Sequence, residues 1–223
     1  MRFLTHPICR VLSSILVLLL AAPMPGAAAT AASVADSTAE TTLAPGRPSD
    51  VVARLDEALI DVMRNAEALG YRGRYARLES VLRKSFHFPL MAAISLGRHW
   101  RTLSPAQRRQ FVAVFRRMSI ATFAARFDGY GGERFEVVGE EPGPRGTVLV
   151  RNRLIKPDGT AIEINYLLKK TRDRWRVVDV YLDAKFSELA LKRSEYGGIL
   201  ANEGFDALIA RIERKLADLG ADG

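Results

Sequence analysis

The stretch Val148-Leu149-Val150-Arg151-Asn152-Arg153-Leu154-Ile155-Lys156-Pro157-Asp158-Gly159-Thr160-Ala161-Ile162-Glu163-Ile164-Asn165-Tyr166-Leu167-Leu168 decides the fold class. Every second side chain carries the pattern: Val148, Val150, Asn152 and Leu154 in the first arm, Ile162, Ile164, Tyr166 and Leu168 in the second. A period of two is that of a strand with one face buried. Pro157-Asp158-Gly159 between the arms supplies turn residues, so the arms form a hairpin. Working outward, Phe135 and Val137 give a strand before it, and Trp175, Val177, Val178 and Val180 give one after Thr171-Arg172-Asp173. The expectation is a sheet of four antiparallel strands.

On both sides of that sheet the period changes to 3.6. Val51, Leu55, Leu59, Val62 and Met63 predict a first helix capped by Ser49 or Asp50, with Gly70 as a stop. A short second helix presents Tyr75, Leu78, Leu82 and Phe86, and Pro89 opens a third that Gly97 ends. Ser104-Pro105-Ala106-Gln107 is the clearest helix start, combining a capping hydroxyl, a proline at the first position and a glutamine that reaches back. The long helix that follows runs to about Phe127 and is apolar on more than one face, so it should be sandwiched. After the strands, one helical segment starts near Ser187 and ends at Gly197-Gly198 or at Asn202; a last helix carries Phe205, Leu208, Ile209, Ile212, Leu216 and Leu219. Helices, then an antiparallel sheet, then helices is an α+β order.

Arg2 and Arg10 precede the apolar run Val11 to Ala22, and prolines and alanines follow. That run is too short for a spanning helix of ~20 residues, so residues 1–29 read as a secretory signal peptide. Thr30 to Ser49, rich in Ala, Ser, Thr and Pro without an apolar period, reads as a disordered linker, leaving 50–223 as a single domain. The 223 residues include 33 basic and 25 acidic side chains, a net charge of +8 that falls to +6 without residues 1–29. The excess is mild, the basic residues are interspersed with acids, and no nucleic-acid partner is expected. Cys9, the sole cysteine, lies in the signal segment, so a processed chain has neither disulfide nor thiolate metal ligand.

The sequence contains no HExxH, GxSxG, GxGxxG or P-loop motif. Beyond the signal, the histidines are His87, between Phe86 and Phe88, and His99, before Trp100. Two isolated imidazoles fall short of the three or four convergent groups a metal needs. Asp179, in the middle of a strand, is read as one half of a structural ion pair with a strand-neighbouring Arg or as a functional acid facing a polar cavity. Arg108, Arg109, Arg116 and Arg117 recur along the long helix, as an ordinary polar face or as a stripe for an anionic surface. No catalytic residue, metal or cofactor is assigned.

Four stretches stand together in the chain: Leu96-Gly97-Arg98-His99-Trp100; Ser104-Pro105-Ala106-Gln107-Arg108 with Phe111 and Phe115; Trp175-Arg176-Val177-Val178-Asp179-Val180; and Ser194-Glu195-Tyr196-Gly197-Gly198-Ile199-Leu200 leading to Gly204-Phe205-Asp206-Ala207-Leu208. In that order they resemble the periplasmic phospholipid-shuttle proteins of the MlaC or toluene-tolerance family. The resemblance implies a curved antiparallel sheet wrapped by helices that enclose an apolar pocket for acyl chains, in the periplasm. It also implies shuttling between an inner-membrane ABC transporter with an MCE-domain protein and an outer-membrane lipoprotein complex. Lys185-Phe186-Ser187 stands where family members often have Gly-Val-Ser, and with Arg193-Ser194-Glu195-Tyr196 is similar to the hopanoid-associated HpnM branch. The ligand is then a phospholipid or a hopanoid-type lipid, carried by a monomer.

Under that reading, alternation and helical period nominate Met91, Ile94, Phe111, Phe115, Met118 and Phe123 from helices, and Val148, Val150, Ile162, Ile164 and Tyr166 from strands, as the lipid-binding residues. Two other readings stay open. One is an enzyme on a similar cone-shaped α+β fold, using Asp179 or Tyr166 on a lipid-like substrate. The other is an interaction module without a cavity, docking through the basic helix.

Overall fold

The computed structural model describes residues 46–172, 174–183 and 186–221. Residues 1–45, where a signal peptide and most of a linker were expected, lie outside the described residues.

Helix α1, Pro48–Arg64, opens two residues earlier than the sequence suggested. Asp50 sits inside its first turn, where its carboxylate accepts from the Arg47 amide at 3.0 Å, so neither Ser49 nor Asp50 is the cap residue. The first helix stops at Arg64, before Gly70, and α2, Ala66–Ser85, begins almost at once; it consists of two helical pieces that meet at Gly70, where helical geometry breaks as expected. Gly70 has φ 54 and ψ −178, a backbone state that costs glycine little, and the helix resumes beyond it. Helix α3, Phe88–Leu96, is capped by His87, whose Nδ1 accepts from the Leu90 amide at 3.1 Å. Gly97 ends it at φ 55; a Cβ there would stand 3.1 Å from Cδ of Arg193, whose Nε donates to the Ile94 carbonyl. A 3₁₀ turn, Gly97–Arg101, leads to helix α4, Pro105–Arg126. Its capping box forms as the sequence predicts, Gln107 N donating to Ser104 Oγ and Ser104 N to Gln107 Oε1.

The strands are β1 (Arg134–Pro142), β2 (Thr147–Ile155), β3 (Ala161–Thr171), β4 (Arg174–Leu182) and β5 (Phe186–Ser187), an antiparallel meander in chain order. The sheet therefore has five strands where four were expected. Two residues, paired as Tyr181 with Ser187 and Leu182 with Phe186, are too few to display an alternation. Register shifts at Val137/Gly139 and Leu167/Leu168 mark bulges, which bend a strand and sharpen its twist. Helix α5, Glu188–Asn202, passes through Gly197-Gly198, held by buried Leu189, Tyr196 and Ile199; α6, Gly204–Ala221, closes the chain.

One face of the sheet carries Val150, Leu154, Ile164, Tyr166, Leu168, Val177 and Val180, all buried in one continuous core with the helices. The opposite face carries cross-strand pairs such as Arg151–Glu141 and Arg153–Glu136, partly open to solvent. Helix α1 packs on β1, β2 and β4, α2, α3 and α5 reach β4, and α4 lies among α2, α3 and α6. That position explains why α4 is apolar on several faces.

Candidate functional site

The inner sheet face is built by the two-residue period of the hairpin. Val150 pairs with Tyr166 and Tyr166 with Val180, so three neighbouring strands present one surface. Val150 and Tyr166 are fully buried, Ile164 nearly so, while Val148 and Ile162 are half-buried toward the strand ends. Over this surface α1 lays the stripe Val52, Leu55, Leu59, Val62 and Met63, every member buried.

Of the nominated helical residues, Phe123 is the one whose aromatic contacts lead to the sheet. Its ring meets Phe86 edge-on at 5.7 Å and stacks on Phe127, which in turn meets Phe135 of β1. Phe111 packs on Phe115 and, edge-on, on Tyr196 of α5. Met118 faces a small cavity of about 30 Å³ between α4, α5 and α6 that no sheet residue lines. Met91 is buried and Ile94 half-buried on α3, beside β4 and α5. The sequence grouped these side chains around one space; the structure keeps them in one core but turns Met118 and Phe111 toward α5 and α6. Periodicity separates buried from exposed positions on a helix and says nothing about which neighbour covers each.

A larger groove, about 390 Å³, opens on the helical side between α2, α4 and α6, lined by Tyr71, Arg72, Tyr75, Arg117, Glu213, Leu216 and Ala217. Arg117 is bridged to Glu213 at 2.8 Å there. Of the four arginines singled out from the sequence of α4, Arg117 and Arg108 are engaged by neighbouring groups. Arg108 donates to the Trp100 and Arg101 carbonyls and lies over the Trp100 ring, so it fastens the preceding turn to the helix.

Three polar side chains intrude into the apolar inner face. Asp56 replaces a hydrophobe in the buried stripe of α1, at 5% exposure, and Asn152 takes an inward position between Val150 and Leu154, at 0%. Asn152 Nδ2 donates to Asp56 Oδ1 at 3.1 Å, and the Asn152 amide donates to Asn165 Oδ1. Burial pushes the Asp56 carboxyl up to about 8, against a smaller lowering by the Asn152 bond, so the group holds its proton at neutral pH. Burial likewise pushes the Tyr166 phenol well up, and the Asp56 carboxyl adds to that. Tyr166 Oη and Asn152 Oδ1 have no hydrogen-bond partner. Asp56 and Asn152 were not nominated from sequence, although an acid in the i, i+3, i+4 stripe of α1 and an amide in the inward phase of a strand were visible there.

Asp179 is neither ion-paired nor free. Its Oδ2 accepts from Ser187 Oγ at 2.6 Å, its Oδ1 accepts from the Val180 and Leu189 amides, and Ser187 Oγ accepts from Ala190 N. Burial raises its carboxyl, and these bonds offset part of that rise. The arrangement anchors the start of α5 to β4, a structural role. Among the described residues no group of three or more His, Cys, Asp and Glu side chains converges on a metal-sized site. No described helix is long and apolar enough to cross a membrane.

The family model for the MlaC protein matches residues 53–214, which takes in all five strands and most of every helix. The chain belongs to the MlaC family. Its architecture is similar to that of a phospholipid-binding protein from Ralstonia solanacearum solved in complex with a phospholipid. The TM-score is 0.70 at 14% identity, covering 78% of this chain and 99% of that one, so the likeness is of fold. Two of the stretches that carry the sequence resemblance fall at joints of the fold. Gly97 and Trp100 lie at the turn between α3 and α4, and Asp179 lies at the junction of β4 with α5.

Proposed function

We propose that this MlaC-family chain is a periplasmic phospholipid carrier whose domain, 50–223, holds acyl chains between the inner sheet face and the helices. The observation that carries the reading is the solved Ralstonia protein of the same fold, which contains a phospholipid. The inner face of this chain has the chemistry such a carrier needs, because Val150, Ile164, Leu168 and the ring of Tyr166 present a wall that is mostly apolar. Exposing acyl chain to water costs about 0.8 kcal/mol per CH₂, so a tail of ordinary length crosses water only if a protein surface replaces the bilayer's. Such a carrier makes and breaks no covalent bond, and the arrangement around Asp179 is accounted for by capping α5. The carrier reading is therefore favoured over an enzyme.

The nominated lining comprises Met91, Ile94, Phe111, Phe115, Met118, Phe123, Val148, Val150, Ile162, Ile164 and Tyr166, with the strand residues and Phe123 nearest the sheet-side space. Because Val150, Tyr166 and Leu168 are fully buried in one core with the helices, a tail reaches them only if α1 or the helical layer moves off the sheet. The carrier acts as a monomer between an inner-membrane ABC transporter bearing an MCE-domain protein and an outer-membrane lipoprotein complex. Its cargo is a phospholipid, or a hopanoid-type lipid if Lys185-Phe186-Ser187 reflects the HpnM branch. The test is transfer of labelled phosphatidylethanolamine between donor and acceptor vesicles that do not touch. Protein-dependent transfer is expected; transfer no faster than in buffer contradicts the proposal.

A further inference from the structure

We infer that Asp56, Asn152 and Tyr166 form a polar subsite on the inner wall that receives a hydroxyl group carried within the apolar body of the bound lipid. The inference rests on the carrier reading and adds to it a preference among lipids.

Two fully buried polar atoms, Tyr166 Oη and Asn152 Oδ1, point into the same apolar layer without partners. Buried polar atoms are nearly always satisfied in native proteins, by protein, water or ligand. Tyr166 sits opposite Val150, and Asn152 follows two residues along β2 on the same face, which makes the two diagonal neighbours across the hairpin. Asp56 reaches the pair from α1 and holds Asn152 by one bond, leaving Asn152 Oδ1 open. The cluster thus offers an acceptor, Asn152 Oδ1, and two donors, the Tyr166 hydroxyl and the O–H of neutral Asp56. A ligand hydroxyl donates to the acceptor and accepts from either donor. A carbonyl could use only a donor, and a hydrocarbon neither.

Charge selects in the same direction. With its proton on, Asp56 is neutral, and no basic side chain bonds to the cluster among the hydrogen bonds of Asp56 and Asn152. A neutral cluster walled by Leu55, Leu59 and Val150 suits a neutral polar group on an apolar molecule and not a charged head group.

The experiment loads the mature protein from vesicles containing equal amounts of two phosphatidylcholines, one with a stearoyl chain and one with a hydroxystearoyl chain. Separate runs place the hydroxyl at carbon 3, 10 or 12, and native mass spectrometry reads which lipid is bound. At one or more positions the wild type should favour the hydroxylated lipid by roughly threefold to tenfold, the factor a net hydrogen bond gives. Tyr166→Phe should bring the ratio of hydroxylated to plain lipid to one, and should raise the Tm of the delipidated protein by removing an unpartnered hydroxyl. Equal loading at all three positions, or a preference that survives both Tyr166→Phe and Asn152→Leu, overturns the subsite and leaves the carrier reading standing. Loading of neither lipid by folded wild type overturns the carrier reading and the subsite with it. A water resident in the cluster and retained in the loaded protein predicts equal loading, and so counts against the subsite.

Discussion

Replacing Asp56 by Asn should make the protein more stable at neutral pH, and the gain should vanish in acid. In the folded chain the Asp56 carboxyl keeps its proton to about pH 8, because burial penalises the charged form; unfolded, it loses the proton near its ordinary value of 3.8. Between those values the unfolded state binds one proton fewer than the folded state, so stability falls as pH rises. The slope is about 1.4 kcal/mol per pH unit, which amounts to roughly 4 kcal/mol between pH 4 and pH 7. Asn at this position still accepts from Asn152 Nδ2, the bond seen at 3.1 Å, and has no proton to lose. Asp179, whose carboxyl is also raised by burial, contributes a slope of the same sign to both proteins, so the difference between them isolates Asp56. Urea unfolding followed by tryptophan fluorescence at about pH 4, 5.5 and 7 gives that difference directly. The Asn variant should match the wild type near pH 4 and exceed it by about 4 kcal/mol at pH 7, the upper end if the unfolded chain is partly compact. Parallel profiles would refute the reasoning, since they would mean Asp56 titrates alike in both states. An acid kept in a hydrophobic stripe at such a cost is the kind of local conflict found at functional positions.

Other outcomes follow from the joints of the fold. Ser187→Ala should lower stability by about 1 kcal/mol through loss of the α5 cap, and Asp179→Ala by about 2–3 kcal/mol because it strips three donors; urea midpoints check both. Arg108→Ala should cost about 1–2 kcal/mol by freeing the Trp100 turn, whereas exposed Arg109→Ala should lie within about 0.5 kcal/mol of wild type. If α1 must leave the sheet to admit a tail, bridging Ser49→Cys on α1 to Glu140→Cys on β1 with a short bis-maleimide should slow lipid loading severalfold, because the Ser49 amide and Glu140 carboxylate already meet at 2.8 Å. Equal loading by bridged and unbridged protein would show that α1 stays in place.

The order of elements was readable because each had a strong local cause. The hairpin followed from alternation around Pro157-Asp158-Gly159, and α4 from the capping box at Ser104, which the structure forms atom for atom. Gly70 does break the helix, but α1 has already ended at Arg64 with Asn65 as its cap, a joint that neither glycine nor proline marks in the sequence. The fifth strand was silent because two residues carry no period. The candidate site was half legible. Val150, Ile164 and Tyr166 on one wall follow from register, but Met118 facing α5 and α6 depends on how helices dock, which no single-helix pattern records. Asp56 and Asn152 were passed over because they sit 96 residues apart and become a pair only when α1 crosses β2.

The central claim is that lipid tails occupy the space between the inner sheet face and the helices. Native mass spectrometry of the protein, purified without detergent beside Val150→Trp, tests it most directly. Val150 is fully buried on that face, so Trp both fills the space and costs about 1–3 kcal/mol by overpacking; circular dichroism must first show the variant folded at the temperature used. The wild type should carry lipid in a fixed stoichiometry and the folded variant little or none. A wild type free of lipid after incubation with phospholipid vesicles, or a folded Val150→Trp protein carrying as much lipid as the wild type, would contradict the account.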